Sequence, residues 1–71
     1  MTLMWTIYER PRDFPDKFVA RPHFIGPGWS TPLSYQKVAN SLEGVRAMLP
    51  PGLHRMERQR DDDPVIVETW L

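Results

Sequence analysis

Two strand-like runs stand near the two ends of this chain, Met4-Trp5-Thr6-Ile7-Tyr8 and Val65-Ile66-Val67-Glu68-Thr69-Trp70. Both are dense in β-branched and aromatic residues, the types that fit a half-buried pleated surface. In a chain of 71 residues, strands at both extremes imply one sheet that uses nearly the whole sequence. The expectation is a single α+β domain over residues 1–71, with little length left for a flexible tail, a second domain or a large inserted loop. A domain of this size buries only about 60% of its unfolded surface, so its one core is modest.

No cysteine is present to staple that core with a disulfide or to bind a metal as thiolate. Eight prolines restrict the unfolded chain instead, which offsets part of the deficit. No stretch approaches the roughly 18 apolar residues of a membrane helix. The opening residues lack a basic region followed by an apolar stretch and a small-residue cleavage site, so the expected address is the cytoplasm, with no membrane partner. Formal net charge is zero, which weighs against a dedicated nucleic-acid binder. The distribution is less even: Arg46, Arg55, Arg58 and Arg60 gather just before Asp61-Asp62-Asp63.

The first run alternates Leu3, Trp5 and Ile7 with Met4, Thr6 and Tyr8. It ends where Pro11 and Pro15 forbid regular pairing, with Phe14 as the apolar anchor of the connection. Lys17 to Ile25 reads as a second strand, and Pro22 within it suggests an edge position or a bulge. Gly26-Pro27-Gly28 closes it in a turn.

Asn40 as N-cap and Glu43 three residues on predict a helix over Ser41–Leu49, stopped by Pro50-Pro51-Gly52. Leu42, Val45, Met48 and Leu49 share one stripe of it, with Leu42 facing the sheet. Two readings fit the preceding segment. Tyr35, Val38 and Ala39 extend the stripe backwards to Pro32, and the periodicity slightly favours this longer helix. The other reading makes Ser34–Ala39 a short strand. Leu53–Gln59 then reads as a strand, Asp61–Pro64 as a turn, and Val65–Leu71 as a centrally placed last strand. The predicted fold is one mainly antiparallel sheet of four strands, or five if Ser34–Ala39 is extended, with one helix packed on one face.

These segments carry a resemblance. Trp5-Thr6-Ile7-Tyr8, then Pro11-x-Asp13-Phe14-Pro15-x-x-Phe18-Val19-Ala20-Arg21, then Leu42-Glu43-x-Val45-Arg46-x-x-Leu49-Pro50-Pro51-Gly52-Leu53, then Asp63-Pro64-Val65-Ile66-Val67-Glu68 is similar to a group of short bacterial and prophage-type proteins. The similarity spans most of the chain, and Gly26–Ala39 matches least well. It implies a complete small protein and brings no activity, substrate or cofactor with it.

Chemistry is sparse. His23 and His54 have no metal-ligand spacing, and Asp61–Asp63 lack the glycine and terminal glutamate of a calcium loop, so no metal or cofactor is expected. Ser30, Thr31, Ser34 and Ser41 sit in no nucleophile motif, and Glu9, Glu43, Glu57 and Glu68 have no spacing that pairs them. The expectation is no enzyme and no catalytic residue. Partner binding is the reading left standing. Trp29, set in the loop Gly28-Trp29-Ser30-Thr31-Pro32, is the candidate anchor, and Arg55, Arg58 and Arg60 form the candidate charged strand face. The partner would be another protein or a second copy of the chain, through the anchor or through an exposed sheet edge. The simpler role for Trp29 is a lid over the core. The alternative function is weak binding of single-stranded nucleic acid on an arginine and aromatic face. That alternative fails if the arginines pair with nearby carboxylates.

Overall fold

The structure, a computed structural model, describes residues 2–57 and 64–71. Arg58, Arg60 and Asp61–Asp63 lie outside the described residues. The elements run β1 Thr2–Glu9, β2 Phe18–Gly26, β3 Trp29–Pro32, β4 Lys37–Ala39, α1 Leu42–Ala47, β5 Arg55–Glu57 and β6 Ile66–Trp70. Among the described residues six strands form one sheet, in the order β3-β2-β1-β6-β5, with β4 also on β2. Every pairing is antiparallel. The α+β class stands, but the sheet has six strands where four or five were expected.

The added strands have a physical origin. Pro27-Gly28 turns the chain by two residues, with Gly28 at φ 74, the proline–glycine combination that suits a type II turn. The chain therefore returns along β2 as the strand β3 in place of the expected loop. After it, Lys37–Ala39 pairs with Phe18–Ala20. The backbone of this segment finds its partners across the sheet, and that pairing outweighs the helical periodicity of Tyr35, Val38 and Ala39. The long helix from Pro32 does not form.

Strand β2 is interior, between β1 on one side and β3 and β4 on the other, so the expectation of an edge strand at Pro22 is overturned. Its register with β1 is unbroken from Thr2↔Ile25 to Glu9↔Phe18, so there is no bulge either. Proline fits because the carbonyl of Pro22 accepts from the Leu33 amide at 3.0 Å. Nitrogen and oxygen of a strand residue point the same way, so the missing donor faces the seam where β3 has ended and β4 has not begun. A bulge does occur in the β1–β6 ladder, where the register shifts between Ile7 and Tyr8.

The helix starts one residue later than expected. Ser41 is the N-cap, its Oγ accepting from the Gly44 amide at 3.0 Å, while Asn40 takes the Lys17 ammonium. Gly44 costs about 1 kcal/mol of propensity, but a Cβ there would lie 3.1 Å from Ser41 Oγ and 3.2 Å from Ala39 Cβ. The helix packs so close to β4 that a side chain at this position would have to displace a neighbour by a few tenths of an ångström.

Register puts Leu3, Trp5 and Ile7 on the same face as Phe24, Pro22 and Ala20. Helix α1 covers that face, and Trp5, Ile7, Ala20 and Val45 form the buried cluster. Val45, fully buried, is the helix residue at its centre, whereas Leu42 is only partly buried at its margin. Val45→Ala should therefore cost about 2 kcal/mol and Leu42→Ala about 1 kcal/mol, although leucine loses more atoms. Urea midpoints decide it; the opposite ranking would mean the helix face is wrongly assigned.

Candidate functional site

The helix is too short for the face it covers. Six residues of α1 span about 9 Å, whereas nine residues of β2 span about 30 Å. It packs on β2 and β4, and β4 pairs with Phe18–Ala20, so the other end of the same face is not under it. There stand Leu3 beside Phe24, and Trp29 opposite Gly26. Tyr35, from the β3–β4 connection, meets Trp5 edge-on, with ring centroids 6.1 Å apart at 69°. Trp29 is 47% exposed and Tyr35 52%. The result is an aromatic shelf adjoining the core, with the Lys37 ammonium 5.8 Å from the Trp5 ring centroid.

The position of Trp29 depends on its neighbour. A Cβ on Gly26 would come within 2.4 Å of Trp29 Cε2, so the indole rests against the glycine backbone. Trp29 is thus neither a lid over the core nor a free side chain. It is held from below and open to solvent above.

A second polar centre lies under the helix. Glu68, 2% exposed, faces Ile7 across β1 and β6. Arg46 from the helix grips it with both prongs, Nε to Oε1 at 2.6 Å and Nη2 to Oε2 at 2.8 Å. Trp70 Nε1 donates to Oε1 at 3.1 Å, and Arg55 Nη1 stands 3.6 Å from Oε2. The Arg46 hydrogen bonds hold the Glu68 carboxyl below its ordinary range against the opposing effect of burial, and Trp70 and Arg55 add to the lowering. The same bond raises Arg46. A carboxylate so fully engaged by donors is a clamp; a general acid needs the opposite shift.

The predicted anchor and Arg55 of the predicted charged face do not meet. Trp29 is on β3 and Arg55 on β5, the two ends of the strand order, about 19 Å apart at the usual strand spacing. Arg55 is half-exposed and turned to Glu68, while Arg58 and Arg60 lie outside the described residues. Phe24 shares the sheet face of Trp29 instead, and Tyr35 packs on Trp5 of that face. Their signal in the sequence was faint, because Tyr35 sits in the segment whose periodicity suggests a helix.

His23 is on the opposite sheet face, where its Nε2 shares a hydrogen bond of 2.7 Å with Thr6 Oγ1; burial lowers its pKa. Among the described residues no group of three or more His, Cys, Asp or Glu is placed to hold a metal. No described helix is long and apolar enough to cross a membrane. No protein-family model, curated protein or solved structure matches the chain.

Proposed function

We propose that this chain is a small non-enzymatic protein-interaction domain whose contact surface is the aromatic shelf, with Trp29 as anchor. The observation that carries the reading is the seating of Trp29 on Gly26 with nearly half of its surface open. Tryptophan and tyrosine dominate the energy of protein interfaces because they bring large area with few rotatable bonds. An indole already held in place gives up less freedom when a partner covers it. The partner is another protein or a second copy of the chain, met in the cytoplasm as an accessory protein of the bacterial or phage type that the sequence resembles.

The alternative of single-stranded nucleic acid is less well supported. Arg46 and Arg55 are committed to Glu68, and Arg21 to Asp13 at 2.5 Å. With zero net charge, the chain as a whole has no cationic excess to drive counterion release.

A photo-crosslinking residue at position 29, with position 16 as an exposed control, tests the proposal in cells of the source organism. A discrete protein adduct is expected at 29 alone. With that partner purified, Trp29→Ala should weaken the complex by about 2 kcal/mol or more, roughly 30-fold. Gly26→Ala keeps the tryptophan but displaces its ring, and should weaken the complex by an intermediate amount. Equal crosslinking at both positions, or Trp29→Ala within about twofold of wild type, would overturn the reading. Loss of capture on nuclease treatment would transfer it to nucleic acid.

A further inference from the structure

The sheet face opposite the helix carries a cleft of about 600 Å³ lined by Tyr8, Pro11, Arg12, Asp13, Arg21 and Val65. Its size falls within the range of small-molecule sites, roughly 300–1,000 Å³. The sequence builds it through an unusual exit from β1. Arg10 has φ 51, the only positive φ among the described non-glycine residues, and its amide donates to Lys17 O at 2.9 Å. A left-handed arginine is locally unfavourable, and such strain concentrates at functional sites. Here it turns the chain so that Pro11 is buried and a turn follows, with the Phe14 amide donating to Pro11 O at 2.9 Å. That turn brings Asp13 against Arg21.

Arg21 is held on three sides. Nη2 meets Asp13 Oδ2, Nε donates to Gln36 Oε1 at 3.1 Å, and the guanidinium carbon lies 5.0 Å from the Tyr8 ring centroid. Arg12, beside it in the cleft, makes no ion pair or hydrogen bond among the described residues. Among the described residues that line the cleft, two guanidiniums and one carboxylate leave one positive charge. That balance suits an anion of single charge, and the planar fork of a guanidinium suits a carboxylate. Pro11 and Val65 supply an apolar wall for the rest of such a molecule.

We infer that this cleft binds a small carboxylate-bearing molecule through the guanidiniums of Arg12 and Arg21, with its apolar body along Pro11 and Val65. Asp13 fixes Arg21 but also competes for it. The site is independent of the aromatic shelf, which lies on the other face of the sheet.

The test is an amide-shift titration of the isotope-labelled full chain with sodium benzoate, benzamide and inorganic phosphate. Benzoate should give saturable shifts at Arg12, Asp13 and Val65, with neutral benzamide at least about tenfold weaker. Arg12→Gln, an exposed change that leaves the sheet intact, should weaken benzoate by about tenfold or more. Asp13→Asn should tighten it by removing the competing carboxylate. The proposal is overturned if benzoate does not saturate by about 50 mM, if benzamide binds equally well, or if Arg12→Gln changes affinity by less than about twofold. Weaker benzoate binding in Asp13→Asn would also overturn it, as would stronger binding of phosphate than of benzoate.

Discussion

Glu68→Ala is expected to destabilise the protein by about 3 kcal/mol. Removing one partner of a buried ion pair costs roughly 3–5 kcal/mol, because the other charge is left without its counterpart. The lower end applies here, since Arg46 and Arg55 both reach solvent and can recover some hydration. A domain of 71 residues has a total stability of about 4–10 kcal/mol, so the variant would be close to unfolding at room temperature. Urea denaturation measures it directly, and a loss below about 1 kcal/mol would mean the clamp is no better than a surface ion pair.

The same carboxylate gives acid stability a definite sign. Its pKa is lowered in the folded state, so its contribution is complete above the unfolded value of about 4.3 and is lost as pH falls through the folded value. His23 acts in the same direction at higher pH. Burial lowers its pKa, so folding favours the neutral ring, and stability declines as pH falls below about 6.5. The stability–pH curve should therefore descend in two stages. Glu68→Gln should flatten the lower stage and leave the upper, and His23→Gln should do the reverse. A single stage unaffected by either change would refute the assignment.

Trp5→Ala carries the other large effect, about 3–5 kcal/mol. Trp5 is 2% exposed, belongs to the central cluster and supports Tyr35. Trp5→Phe should behave differently. The indole Nε1 is buried without a hydrogen-bond partner among the described residues, a burden of about 1–3 kcal/mol. Phenylalanine loses some buried area but removes that donor, and the two changes nearly offset. Thermal and urea unfolding of both variants would show it. If Trp5→Phe is as damaging as Trp5→Ala, the Nε1 group contributes favourably after all.

The long strands were readable from their β-branched and aromatic content, and a stop to α1 from Pro50-Pro51-Gly52, although the helix ends at Ala47, short of the expected Leu49. β3 was not readable. All four of its residues are exposed, so no alternation marks it, and it forms because a tight turn lays it along β2. The glycine and proline neighbours of Trp29 left its exposure open, with a lid over the core the simpler role, and its dependence on Gly26 is a contact across a hairpin. Glu68 was hidden within a run of β-branched residues. Its partner Arg46 lies 22 residues away, a separation that no local pattern reports. The Arg12–Arg21 cleft was hidden for the same reason, since it arises only when β1 and β2 pair.

The place of β6 between β1 and β5 bears on how the chain matures. Among the described strands, β1 has its most distant partner in sequence in β6. Until it arrives, β1 presents an open hydrogen-bonding edge beside Trp5 and Ile7, and Arg46 has no Glu68 to receive it. The β1–β2 hairpin can assemble early, but the native core closes only through this most distant pairing. The unfinished hairpin is the form most exposed to chaperones and to mispairing with other chains.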